Sequence, residues 1–196
     1  GTGFIEADSV ASLLAAIEAE PDADLLLLDL NMPGAQGFNA LAHVRGSRPG
    51  LPVAIVSADD DPQTIAAALR YGAQGFISKS TEAAQIGRAV EAVLAGEIYT
   101  PPGYHPPRGV PSGDEDLLIA RRIADLTPQQ FRVLGALCSG QLNKQIAYDL
   151  DVSEATVKAH VTAILRKLGV ATRTQAVLAA GRLATERARV RPPPED

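Results

Sequence analysis

The stretch LLLLDLNMPG, residues 25–34, sets four leucines in front of Asp29 and closes on Met-Pro-Gly. An apolar run this short, ended by turn residues, reads as a strand buried on both faces, as a parallel sheet requires. A carboxylate at the end of such a strand has two readings. Asp29 either opens an ordinary turn in the company of Asn31, Pro33 and Gly34, or it faces the crevice at the carboxyl edge of an open α/β sheet, where ligands of such sheets sit.

The flanking sequence supports the second reading. A short strand over GFIEA (3–7) leads to a helix over DSVASLLAAIEAE (8–20), the strand DLLLLDL (24–30), a helix near GFNALAHVRGS (37–47) and the strand LPVAIVS (51–57). The helix DPQTIAAALRYG (61–72), the strand QGFISK (74–79) and the helix EAAQIGRAVEAVLAG (82–96) follow. Strands alternating with helices predict a doubly wound α/β domain with a parallel sheet and right-handed crossovers. Asp29, Ser57 and Lys79 close three successive strands of this pattern. Singly, Ser57 or Lys79 is an ordinary strand terminus. A carboxylate, a hydroxyl and an ammonium at one edge suit a phosphoryl group, with Asp29 as nucleophile and Ser57 and Lys79 on the incoming oxygens.

Composition restricts the rest. With 46% hydrophobic and 21% charged residues the chain is ordinary for a soluble protein, and 196 residues suffice for one or two cores. The single Cys138 excludes an intramolecular disulfide and a cysteine-built zinc site, and reads as a small helix residue. No apolar run approaches a membrane span and no signal peptide opens the chain, so a cytoplasmic protein without membrane contact is expected. The net charge of −5 hides an asymmetry: residues 1–100 carry −8 and residues 101–196 carry +3. Uneven halves predict two domains with different partners, the basic one meeting a polyanion.

The halves are separated by TPPGYHPPRGVPSG (100–113), with five prolines and three glycines, an extended linker. DEDLLIARRIADL (114–126) is acidic first and basic last, a short linker helix. In LTPQQFRVLGALCSG (126–140), Thr127 is an N-cap, Pro128 the first helical residue and Gln130 the third, a capping box. NKQIAYDL (143–150), a tight turn and SEATVKAHVTAILRKLGV (153–170), capped by Ser153 and stopped by Gly169, follow; TRTQAVLAAGRLATERARV (172–190) is a fourth helix. Short helix, turn and longer basic helix form the layout of a helix-turn-helix reader of DNA. At about 100° per residue, Val157, Val161, Ile164 and Leu168 make one apolar stripe with Leu165 beside it. Ala155, Ala159, Thr162 and Arg166 lie opposite, flanked by Lys158. Small residues let such a helix sink into a major groove while Lys and Arg reach phosphates or guanine edges. A basic outward face can equally be solvated surface. His43 and His105 read as surface residues. The expected limits are 1–99, 100–124 (linker with its helix) and 125–190.

LLLDLNMPG, VAIVSAD and GAQGFISKS, at these separations, resemble the receiver domain of bacterial two-component response regulators. The resemblance implies that Asp29 accepts a phosphoryl group from a sensor histidine kinase with Mg²⁺ bound, and that Asp29 and the Asn31 backbone carbonyl contact the metal. It further implies that Ser57 and Lys79 bind the phosphoryl oxygens, and that Phe76 is the aromatic whose rotation follows phosphorylation; an ordinary core aromatic is the other reading of Phe76. The family also begins with a strand ending in a pair of acidic metal ligands, and nothing upstream of GTGFIEA supplies it. Either a leading segment is missing, which the absence of an initiator Met favours, or the receiver is degenerate and Mg²⁺ affinity is lost. Mg²⁺ is expected only if that acidic pair exists.

LTPQQFRVL, GQLNKQIAYDLDVSEATVKAHVTAILRKLGV and TRTQAV resemble the four-helix DNA-binding domain of the LuxR and NarL/FixJ regulators. This implies that Lys158, Ala159 and Thr162 lie at base-reading positions and that Lys144 and Lys167 approach phosphates. Thr156, His160 and Arg166 join the DNA-facing set, and the last helix forms a homodimer contact. Double-stranded DNA is the implied ligand and RNA polymerase a further partner. The expected function is a phosphoaspartate-controlled, sequence-specific transcription factor, with a regulator of the same architecture that works without phosphorylation as the alternative. A phosphatase of haloacid-dehalogenase type would need a second Asp two residues after the first. That place is Asn31, so no enzyme is expected.

Overall fold

The structure, a computed structural model, describes residues 3–35, 37–107 and 114–185. Helix α1 (Val10–Ala19) is capped by Ser9, which exchanges bonds with Ser12 in a capping box. The sheet contains β1 (Leu26–Asp29), β2 (Val53–Ser57) and β3 (Gly75–Ser78), all parallel and in sequential order. Between them run α2 (Asn39–Ser47) and α3 (Pro62–Arg70), the latter capped by Asp61 with Pro62 at its start. Helix α4 (Ala83–Leu94) follows β3.

The alternation of β2 shows how the sheet is covered. Val53 and Ile55 join the large apolar cluster with α1, α2 and α3, whereas Ala54 packs with Ile77, Ala89 and Val93 beneath α4. Successive strand residues point to opposite faces, so both faces carry helices. Gly75 sits in this second layer because a Cβ there would lie 2.8 Å from the Val93 side chain and 3.1 Å from Ala54.

Two expectations fail in this half. GFIEA forms no strand, and Phe4 and Ile5 are 86% and 61% exposed; among the described residues no strand lies beside them to pair with. β1 is also not buried on both faces. Among the described residues it is the sheet's edge, and Leu27, on the α4 side, is 45% exposed because α4 lies over β2 and β3. The sheet gains a single parallel bridge at its other end, between Gly75 and Tyr99.

The second half is helical. It comprises α5 (Asp114–Ala124), α6 (Pro128–Cys138), α7 (Asn143–Asp149), α8 (Glu154–Leu168) and α9 (Arg173–Thr185). The capping box on α6 is present, with Thr127 Oγ1 accepting from Gln130 N and Gln130 Oε1 accepting from Thr127 N. Ser153 caps α8 and Gly169 ends it in the left-handed conformation (φ 66°) that a residue without Cβ adopts freely. Residues 108–113 of the proline-rich linker and 186–190 of the expected last helix lie outside the described residues. No described helix is long and apolar enough to cross a membrane.

The two halves share one apolar cluster. Helix α2 is buried from Asn39 to Val44, held between the sheet on one side and α5 and α9 on the other. Asn39 Nδ2 donates to Ala180 O of α9 at 3.1 Å, and Gly46 lets α5 approach so closely that a Cβ would stand 2.4 Å from Ala124. His43, expected at the surface, is wholly buried here. Helices α5 and α6, distant in sequence, cover it: its ring stacks on Phe131 of α6, and α5 packs along α2. A clasp joins α5 to α9: Arg182 Nε donates to Asp116 Oδ1 at 2.9 Å and Nη1 meets Glu115 Oε1 at 2.5 Å. The guanidinium holds the Glu115 carboxyl below its ordinary range.

Candidate functional site

At the carboxyl edge of the sheet the three expected side chains arrive from three strands. Asp29 ends β1 and Ser57 ends β2, while Lys79 directly follows β3. Parallel register places them together: Asp29 stands opposite Val56, Ser57 opposite Ser78, and Lys79 N donates to Ser57 O at 2.8 Å. Lys79 Nζ lies 2.6 Å from Asp29 Oδ2, and Asn31 N donates to Asp29 Oδ1 at 2.9 Å. Both carboxylate oxygens are thus oriented by donors, and the pair remains partly open, with side-chain exposures of 44% for Lys79 and 32% for Asp29. Ser57 is buried and its Oγ accepts from Asp59 N at 3.1 Å. Phe76 is fully buried, one strand position from the bridge to Tyr99.

A hard cation such as Mg²⁺ needs carboxylate and carbonyl oxygens around it. Asp29 is committed to an ammonium, and among the described residues no three His, Cys, Asp or Glu side chains converge on a metal position. Asp29 and the Asn31 carbonyl are therefore, among the described residues, an incomplete donor set for Mg²⁺.

The second candidate surface is α8. Val157, Ile164 and Leu168 are buried and Val161 and Leu165 half-buried, while Ala155, Thr156, Lys158, Ala159, Thr162 and Arg166 are exposed. His160 is half-buried on the flank. Thr162 Oγ1 donates to Lys158 O at 3.0 Å, and Thr156 Oγ1 shares a 2.8 Å hydrogen bond with Ser153 Oγ at the cap. On α7, Lys144 is exposed near the helix start. Arg173 of α9 steadies that start, with Nη1 donating to Asn143 Oδ1 at 3.3 Å and Nη2 to Gln141 O. Lys167 is placed differently from the rest of the set. Its Nζ donates to Asp125 O at 2.7 Å and to Gln130 Oε1 at 2.8 Å, within the domain.

Arg122, Asp125, Gln130 and Arg173 carry contacts that the sequence reading missed. Gln130 was legible as a capping residue only, because its second partner is 37 residues away. A charged linker helix gave no sign that Arg122 reaches the end of α8.

A parallel sheet with three polar residues at its carboxyl edge, joined to a helix-turn-helix, defines a receiver coupled to a DNA reader. Residues 3–91 match the response regulator receiver domain, and residues 124–180 match the family described as bacterial regulatory proteins, luxR family. The chain belongs to the LuxR-type (NarL/FixJ) response regulators. It is 44% identical over 185 residues to the glycerol metabolism activator of Pseudomonas putida, covering 92% of this chain and 84% of that one. It is 31% identical over 157 residues to the nitrate/nitrite response regulator NarL of Escherichia coli K12, covering 80% and 73%. Among solved structures, a LuxR family DNA-binding response regulator from Silicibacter pomeroyi is 36% identical over 50% of this chain and 74% of its own, with a TM-score of 0.44.

Proposed function

We propose that this chain is a transcription factor whose binding to specific double-stranded DNA is governed by phosphorylation of Asp29 by a sensor histidine kinase. The observation that carries this reading is the Asp29–Lys79 contact beside Ser57 at one sheet edge. An Asp29 carboxylate oxygen attacks the phosphorus of a phosphohistidine, the P–N bond breaks, and imidazole leaves. The Lys79 ammonium then has a phosphoryl oxygen to neutralise in place of the carboxylate, and Ser57 Oγ, turned from Asp59 N, donates to another. Phe76 is the aromatic that responds to this rearrangement. Lys158, Ala159 and Thr162 read bases, Lys144 meets phosphate, and Thr156, His160 and Arg166 line the same groove. The protein acts in the cytoplasm as a homodimer, with RNA polymerase as a further partner. Asn31 offers no general acid, so the site accepts phosphate and does not turn it over; sustained hydrolysis of p-nitrophenyl phosphate would contradict that.

The test is incubation with acetyl phosphate and Mg²⁺ followed by intact mass and peptide mapping. A single phosphoryl adduct on Asp29, absent in Asp29→Asn, is expected where the acidic pair ahead of Gly1 is present, with weak or no reaction in the 196-residue chain, and an adduct that persists in the variant sinks the assignment. The incomplete set of metal donors favours a second reading, in which the receiver is not switched by phosphate and responds to a protein or small molecule instead. No adduct, together with DNA binding indifferent to Asp29→Asn, would select it.

A further inference from the structure

The last turn of α8 is held from two directions. Lys167 sends its ammonium to the corner between α5 and α6, donating to Asp125 O (2.7 Å) and Gln130 Oε1 (2.8 Å). Arg122 reaches back from α5, with Nη1 donating to Leu168 O at 2.7 Å. That carbonyl is among the four at a helix end that have no intrahelical partner, and a cation there also complements the helix dipole. Gly169 makes room for the guanidinium, since a Cβ at this position would lie 2.8 Å from Nη1.

We propose that Lys167 and Arg122 are positioning residues, which seat the recognition helix against the linker helix and do not themselves contact DNA. This rests on the reading of α8 as the recognition helix. A lysine bound to phosphate would have to abandon both of its acceptors. Gln130 cannot turn to compensate, because its Oε1 also accepts from Thr127 N at 3.1 Å in the capping box. The linker helix is itself packed on the receiver through Ile123 and Ala124. Consecutive residues of α5 therefore serve the two halves: Ile123 and Ala124 face α2, while Arg122 and the Asp125 carbonyl just beyond the helix hold α8. The seating of the reader is set by the same helix that meets the receiver.

Salt dependence separates positioning from phosphate contact, because only a lost phosphate contact releases one counterion fewer. The probes are a duplex recovered from random-site selection and an unrelated duplex, titrated with the full chain across a range of salt. Lys167→Met is expected to weaken the selected duplex about tenfold, the scale of one misread base pair, with the unrelated duplex and the salt slope unchanged. Lys167→Arg, which can still donate to both acceptors, restores the selected binding. Gln130→Glu keeps the capping acceptor and gives Lys167 a carboxylate; affinity and slope should hold. The proposal is overturned if Lys167→Met weakens both duplexes alike and flattens the slope by about one charge, or if Gln130→Glu does so by drawing the ammonium off a phosphate. Should Lys167→Met fail to fold, Gln130→Glu decides alone. Absence of salt-dependent binding by the unaltered chain would bring down the recognition reading and the positioning role with it.

Discussion

The imidazole of His43 lies flat on the ring of Phe131, with centroids 4.2 Å apart and 1° between the planes, where α2 of the receiver meets α6 of the DNA-binding half. Among the described residues neither ring nitrogen has a hydrogen-bond partner, and burial lowers the pKa of His43, with the Ile123 backbone working against that shift. The interface thus contains an imidazole whose protonated form burial disfavours, with the Ile123 backbone offsetting only part of that cost.

That shift fixes the sign of a pH effect. Above the ordinary histidine value near 6.5, His43 is neutral whether or not the chain is folded, and the full stability of the contact is present. As pH falls below that value the unfolded chain takes a proton that the folded one refuses, and stability drains until the lower folded pKa is passed. Denaturant unfolding followed between about pH 7.5 and 5.5 should show this slope, and His43→Phe should flatten it while retaining a stacked ring. Identical slopes in the two proteins would contradict the buried neutral imidazole.

Gly46 supplies a test of sign for the packing of α5 on α2. In an exposed helix interior, replacing Gly by Ala stabilises by about 1 kcal/mol. With Ala124 only 2.4 Å from the new Cβ, Gly46→Ala should instead cost roughly 1–3 kcal/mol, the scale of overpacking. Denaturant titration measures it, and a stabilised variant would mean that α5 does not rest there.

On the DNA side, two copies are expected to bind half-sites about one helical turn apart, because one small module buries too little surface for a tight specific complex. Footprinting on selected sites reads the spacing. Sites occupied by single copies at nanomolar protein would rule out the paired arrangement.

Lys144 and Lys158 should separate in their behaviour. Lys144→Ala is expected to weaken specific and unrelated duplexes alike and flatten the salt slope by about one charge. Lys158→Ala should cost roughly 1–3 kcal/mol on the specific site if it meets a base edge. Thr162→Lys, which exchanges an intrahelical bond to Lys158 O for a donor at the groove floor, should change the selected sequence more than the total affinity. An unaltered consensus after selection with Thr162→Lys would remove that residue from the reading face.

The legible features were those whose cause is local. The apolar run before Asp29, the strand VAIVS ending on Ser57, the Thr127–Gln130 box and the stripe through Val157, Ile164 and Leu168 each follow from residues close in sequence. Hence three polar strand ends could be placed at one edge before any coordinates. The illegible features depend on distant partners. Leu27 looks like any buried strand leucine until the edge position of β1 is known. His43 looks like a surface histidine because the helices that cover it begin some 70 residues later. Lys167 matches a phosphate-contacting position by motif, but only the fold brings Asp125 O and Gln130 within its reach.

The double duty of α5 bears on how long this stretch of chain can be. One residue inserted between Arg122 and Ile123 would turn the one against the other by about 100°, so that with Arg122 still on Leu168 O the residues Ile123 and Ala124 would leave α2. The two halves could not both be satisfied after such a phase error. Extra or missing residues within 100–107, where the described chain is not helical, rotate nothing, because a stretch without helical phase transmits reach and no angle. Drift in length belongs in the proline-rich segment, and α5 acts as a keyed shaft whose teeth are cut at a fixed pitch.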